Sequence, residues 1–193
     1  RVLPEPDLRN IAVAASRNAN GAPAILFDNI AGYPGKRTVV GVHGSWDNIA
    51  LLLGRPKGTT IRELFFEIAG RWGDAEAQIS YVPEGQAPVH ECRVESGINL
   101  YDILPVYRIN EYDGGVFMGK ASVASRDPED PDNFGKQNVG IYRLQVQGPD
   151  SFSLMTIPSH DMGRQIMAAE RNGLPLKIAV MLGNHPGLAV FAA

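Results

Sequence analysis

Asn138, Gly140 and Arg143 set an amide, an unobstructed backbone and a guanidinium along one strand-like stretch, Gln137 to Val146. Further on, Pro158-Ser159-His160-Asp161 opens a helical pattern that would bring an imidazole to the same region. An Asn, an Arg and a His converging beside a glycine have the composition of an anion site or a metal-phosphate site. The start of a helix suits a phosphate, and its positive end favours the neutral imidazole that a metal requires. One geometric condition attaches. Residues five apart on a regular strand face opposite sides, so Asn138 and Arg143 share a pocket only if Asn138 lies in the preceding loop or a bulge breaks the period. Gly140 tolerates either arrangement.

The elements that must hold these residues are legible in outline. Residues 116–125, 138–147 and 151–157 read as consecutive strands joined by short connections, which predicts an antiparallel sheet or a barrel wall. Ser159 stands where a cap belongs for a helix over 160–172, with Met162, Ile166 and Ala169 on its apolar face and Gly173 and Pro175 ending it. Residues 176–182 read as another buried strand, and Gly183-Asn184-His185-Pro186-Gly187 follows it where α/β proteins often line a ligand crevice.

Upstream, Leu8, Ile11 and Ala15 mark a helix over 7–20 with Asp7 as its cap and Asn20-Gly21 as its end. Two short buried strands, 24–28 and 38–42, flank a turn at 32–36. Helices are predicted over 46–53 and over 61–69, the second capped by Thr59 or Thr60 and stopped at Gly70. Residues 82–88 read as a loop and 89–94 as a strand. The fold class is α+β, with a mixed α/β domain over 1–97 and a strand-rich domain over 112–193.

Composition narrows the function. The 193 residues are 44% hydrophobic, enough for a sizeable core, and the net charge of -3 comes without any Lys/Arg run that could follow a nucleic-acid backbone. Residues 126–132 hold four acids and one Arg and read as a solvated loop. Cys92, the only cysteine, reads as a buried structural thiol, so there is no disulfide framework and the cytoplasm is the default location. No apolar run approaches the length of a membrane span. Gly114-Gly115 lacks the spacing of a dinucleotide loop, and His43-Gly44-Ser45 lacks the pattern of a nucleophile elbow. The chain begins at Arg1 and ends in the apolar run 188–193, which reads as a piece of a longer protein.

The motifs Arg126-Asp127-Pro128-Glu129, Asn138-Val139-Gly140-Ile141-Tyr142-Arg143, Ser159-His160 and Ala179-Val180-Met181-Leu182-Gly183-Asn184-His185-Pro186 occur in that order. With Ile25-Leu26-Phe27-Asp28-Asn29-Ile30 and Gly32-Tyr33-Pro34 near the start, the chain resembles the UbiD-type prenylated-flavin decarboxylases over nearly its whole length. The resemblance implies that 112–193 is the first part of a split β-barrel that binds prenylated FMN, with manganese and potassium as the accompanying ions. It further implies that Asn138 and His160 ligate manganese at the cofactor phosphate, that Ser159 belongs to the cofactor site, and that Arg143 contacts the cofactor and the substrate carboxylate. The family's third metal ligand and catalytic glutamates lie beyond anything matching Ala193, so the missing C-terminal part would complete the catalyst. The implied chemistry is non-oxidative, reversible loss of carbon dioxide from a small aromatic acid, by overall resemblance a phenolic one, in a homo-oligomer. A flavin-binding accessory module without activity and a purely structural fragment are the alternatives.

Overall fold

The computed structural model describes residues 1–18, 21–74 and 82–192. Helix α1 (Asp7–Ser16) buries Leu8 against Phe27 and Ile30. Its cap is Pro6 rather than Asp7, whose carboxylate instead accepts from the Leu3 N–H at 2.8 Å. The helix ends at Ser16, and the expected stop at Asn20 lies outside the described residues. Strands β1 (Ile25–Phe27) and β2 (Thr38–Val40) pair antiparallel with Leu26 opposite Val39. Both of those residues are exposed, so the ladder is half-buried rather than buried: two strands have one core face between them.

Ser45 caps α2 (Trp46–Leu52) by accepting from the Asn48 N–H at 3.2 Å. For α3 (Ile61–Asp74) the cap is a reciprocal box: Thr60 Oγ1 accepts from the Glu63 N–H at 3.3 Å, and Glu63 Oε2 accepts from the Thr60 N–H at 2.8 Å. The helix runs on through Gly70. Arg71 holds that turn by pairing with Glu67 one turn back and donating to the Leu53 carbonyl at 2.9 Å, which outweighs the weak helix propensity of one glycine. Ile49, Ala50, Leu53 and Leu64 form the small core between these helices.

Residues 89–94 are not a strand. Pro88 opens a 3-10 turn over Pro88–His90, Val89 and Val94 are exposed, and among the described residues no strand pairs with them. Cys92 is exposed too, which corrects the expectation of a buried thiol. A short helix α4 (Leu100–Ile103), capped by Asn99, leads into the second half of the chain.

There, β3 (Phe117–Ser125), β4 (Asn138–Gly148), β5 (Ser151–Met155) and β6 (Ile178–Met181) form an antiparallel sheet in the order β5-β4-β3-β6. β6 is shorter than predicted and sits at the edge, with Ile178 and the following Leu182 exposed. Ala121, Val123, Tyr142, Leu144 and Val146 line the inner face, where α5 (Asp161–Arg171) adds Met162. Leu144 is fully buried, and each such aliphatic side chain contributes about 1.5–3 kcal/mol. The last element is α6 (Pro186–Phe191). No helix among the described residues is long and apolar enough to cross a membrane.

Candidate functional site

Strand β4 keeps a strict period of two: Gly140, Tyr142, Leu144 and Val146 are buried, while Ile141 and Arg143 are exposed. Asn138 therefore belongs to the inner side and Arg143 to the outer side. No irregularity separates them on β4; the one-residue bulge lies on β3, between Met118, which faces Leu144, and Ala121, which faces Tyr142. The structure thus places Asn138 on the inner side, beside a cavity that the first turn of the helix after His160 also lines, and leaves Arg143 on the other side.

On the inner side Asn138 joins a polar network that the sequence did not reveal. Its Nδ2 donates to Tyr142 Oη at 3.2 Å and to Ser125 Oγ at 3.4 Å. Ser125 donates onward to Gln165 Oε1 at 2.5 Å, and Gln165 Nε2 donates to the Lys136 carbonyl at 3.1 Å. Ser125 and Gln165 are buried, so each needs these bonds to offset its desolvation. Gly140 makes room for the network: a Cβ there would come within 2.7 Å of the Tyr142 ring, which leans across it toward Asn138. With Nδ2 committed, Asn138 Oδ1 accepts from none of the described residues. Beside it lies an open cavity of about 290 Å³ lined by Asp127, Lys136, Asn138, Asp161, Arg164 and Gln165.

The start of α5 borders the same cavity. His160 is itself the cap, with its N–H donating to the Ile157 carbonyl at 3.0 Å and its own carbonyl accepting from Arg164 at 2.9 Å. Ser159 stands exposed one residue earlier and is not the cap, because the turn begun at Pro158 places His160 at the boundary. The exposed His160 ring makes no hydrogen bond to the described residues. Gly163 seats the helix: a Cβ there would lie 2.2 Å from the Ile157 carbonyl oxygen, so only glycine allows this approach. Asp161 pairs with Arg164 at 3.3 Å, and Lys136 is held by Asp130 and Asp127 at 3.1 and 3.5 Å, which pushes Lys136 up; the Asn133 amide, and then Lys136, hold Asp130 below the usual carboxylate range. The acidic loop is folded around this lysine. The cavity thus carries two cations, each paired with carboxylates, at the N-terminus of α5, whose first N–H groups suit an anionic group such as a phosphate.

On the outer side Arg143 lies 4.1 Å over the Phe117 ring and 3.7 Å from the Asp113 carboxylate. Lys120, in the β3 bulge, is 2.7 Å from His43 Nδ1, and His43 Nε2 is 3.0 Å from the Pro186 carbonyl. Burial, and then the Lys120 charge, lower the His43 pKa against the opposing pull of that carbonyl. Neither residue was singled out for chemistry from the sequence; glycines at 41 and 44, bracketing a histidine, were the available signal.

Among the described residues no group of three His, Cys, Asp or Glu side chains is arranged to hold a metal ion. A metal at this site would rest on Asn138 Oδ1, His160 and oxygens brought by other groups. Neither Asn138 Oδ1 nor the His160 ring is hydrogen-bonded to a described residue, which fits that use.

The model of the 3-octaprenyl-4-hydroxybenzoate carboxy-lyase Rift-related domain matches residues 80–193, and that of the corresponding N-terminal domain matches residues 1–68. The chain is 47% identical over its full length to a phenolic acid decarboxylase of Bacillus subtilis and 45% identical over 99% of it to one of a Streptomyces species. It spans about 40% of the length of each of these relatives. Vanillic acid decarboxylase of Sedimentibacter hydroxybenzoicus in its closed form superposes over the whole chain with a TM-score of 0.94 at 42% identity, the chain covering 40% of that structure. An evolved dimeric form of the UbiD-class enzyme HmfF of Pelotomaculum thermopropionicum, in complex with prFMN, superposes over 96% of the chain with a TM-score of 0.77 at 30% identity, the chain covering 40% of that one. A mixed α/β region followed by half of a split barrel is thus the fold these proteins share with it, as the sequence led one to expect. Over these matched residues, the chain belongs to the UbiD family of carboxy-lyases.

Proposed function

We propose that the longer protein to which these residues belong removes carbon dioxide non-oxidatively and reversibly from a phenolic carboxylic acid, using prenylated FMN. The observation that supports this reading is the pair of donors that no described residue claims, Asn138 Oδ1 on the lining of a polar cavity and the His160 ring at the head of α5, whose first turn borders that cavity. Decarboxylation leaves an electron pair that no ordinary side chain accepts well, and the modified flavin supplies that electron sink when bound.

The chain's own residues bind and orient. Lys136, Arg164 and the first N–H groups of α5 would take the phosphate end of the cofactor, with Ser159 at the rim. Asn138 and His160 would supply two neutral donors to manganese, and potassium is the monovalent ion we assign to the family's site. The Ser125–Gln165 pair holds the Asn138 amide by its nitrogen, which leaves its oxygen for the ion. Across the sheet Arg143, steadied by Asp113, would grip the substrate carboxylate with its fork of N–H groups. A group in the C-terminal part of the same chain would move the proton.

We also assign residues 1–97 and 112–193 to separate domains, in a cytoplasmic homo-oligomer. Segregated cores favour the division: Leu144 and Val123 cluster apart from Leu64 and from Phe27. Purified full-length protein loaded with prenylated FMN and manganese should release carbon dioxide from 4-hydroxybenzoate or a close phenolic relative. The 193-residue piece should bind manganese weakly, because Asn138 and His160 are neutral donors and the nearby Asp127 and Asp161 are already paired with Lys136 and Arg164. No turnover of any phenolic acid by the loaded full-length protein would overturn the proposal.

A further inference from the structure

The loop carrying His43, the turn after β6 and the bulge of β3 meet at one place on the outer side of the sheet. The loop is rigid. Gly41 holds a φ of 71°, with its Cβ position 2.9 Å from the Pro23 carbonyl oxygen, and Asn48 Nδ2 donates to the carbonyls of Ala22 and Gly41 at 3.2 and 3.0 Å. From it the His43 ring reaches Pro186 through Nε2 and Lys120 through Nδ1. A carbonyl oxygen can only accept, so Nε2 carries the proton and Nδ1 offers its lone pair to the Lys120 ammonium. The ring orients the lysine without neutralising it. Among the described residues no carboxylate pairs with Lys120.

The β3 bulge sets Lys120 beside Arg143. Met118 faces Leu144 and Ala121 faces Tyr142, both on the inner side, so Gly119 and Lys120 together oppose Arg143 and turn outward with it. Residues opposed across an antiparallel pair lie about 5 Å apart at Cα. Two exposed cations therefore share one patch, and only one of them, Arg143, has an acid partner in Asp113. Such a patch suits a ligand that presents two oxygen-bearing groups, one to each cation.

We infer that Lys120, oriented by His43, is a second positioning residue of the substrate site, taking the ring oxygen of a hydroxylated aromatic acid whose carboxylate Arg143 holds. This rests on the decarboxylase reading above. It makes Lys120 a residue that distinguishes hydroxylated from unsubstituted acids.

The test is calorimetric binding of 4-hydroxybenzoate and of benzoate to the full-length, cofactor-loaded protein, with steady-state kinetics on the hydroxylated acid. Lys120→Met should weaken 4-hydroxybenzoate binding and raise its KM about tenfold or more, the scale of one hydrogen bond to a charged group. Benzoate affinity should not change, and kcat should change little. His43→Leu should reproduce part of this loss. His43→Gln should restore it, since an amide accepts from Lys120 and donates to Pro186 with the same polarity. Equal weakening of both acids by Lys120→Met, or no weakening of either, would overturn the inference while wild-type turnover left the decarboxylase reading standing. A wild-type protein that binds neither acid would remove both.

Discussion

The two sides of β4 carry different kinds of chemistry on one strand. Inward, Asn138 is held through its nitrogen by Tyr142 and Ser125, and Ser125 by a buried glutamine, while no described residue donates to the Asn138 oxygen. Outward, Arg143 and Lys120 are exposed, Arg143 supported by Phe117 and Asp113 and Lys120 by His43, and Ile141 and Met155 lie open nearby. The inner side is built as an anchor and the outer side as a surface that other groups complete. A period of two lets adjacent residues of one strand serve both without sharing a pocket.

If the sides are as separate as their registers make them, truncation should read them out unequally. Leu144→Ala in the full-length protein should cost about 2–5 kcal/mol, whereas Ile141→Ala should stay within about 0.5 kcal/mol. Denaturant midpoints at a common slope measure both, and similar losses would mean that the outer side is also core. Arg143→Lys should lower turnover by about a hundredfold, since the charge remains but the rigid fork is lost. Flavin absorbance of the purified variant should stay at the wild-type level. Unchanged turnover would take Arg143 out of the reaction.

Gly163→Ala sharpens the inner side, because the new methyl would meet the Ile157 carbonyl and push the head of α5, with His160, off the end of β5. The expected cost is about 1–3 kcal/mol, with less cofactor retained but normal turnover per cofactor bound. The smallest effect concerns His43. Its pKa is lowered on folding, so the unfolded chain binds the proton more readily and the ring contributes stability above the ordinary imidazole value. That contribution should fade as pH falls through the lowered folded value, where a proton on Nδ1 would face the Lys120 ammonium. His43→Gln should flatten this part of the thermal-stability profile against pH, and a slope unchanged by the substitution would assign it to another group.

Much of the fold was legible from local pattern. The three consecutive strands, the Thr60 cap and the amphipathic helix ending near Gly173 follow from residue spacing and turn chemistry, which act over a few residues. The same spacing stated the difficulty with Asn138 and Arg143, and the unbroken β4 ladder answered it by placing them on opposite sides. Residues 89–94 misled because their apolar residues promised a strand, yet a strand needs a partner edge, and whether one is present is not a local property. The ending of α3 failed likewise, since Gly70 signals a stop that Arg71, anchored to the Leu53 carbonyl just past the end of α2, overrides. Tertiary structure alone decided which polar groups meet. Ser125 and Gln165, forty residues apart, share a short hydrogen bond, and His43 reaches Lys120 across seventy-seven. Hydrogen bonds depend on distances in space, and residue order sets those only after the sheet has closed its register and the helix has docked against it.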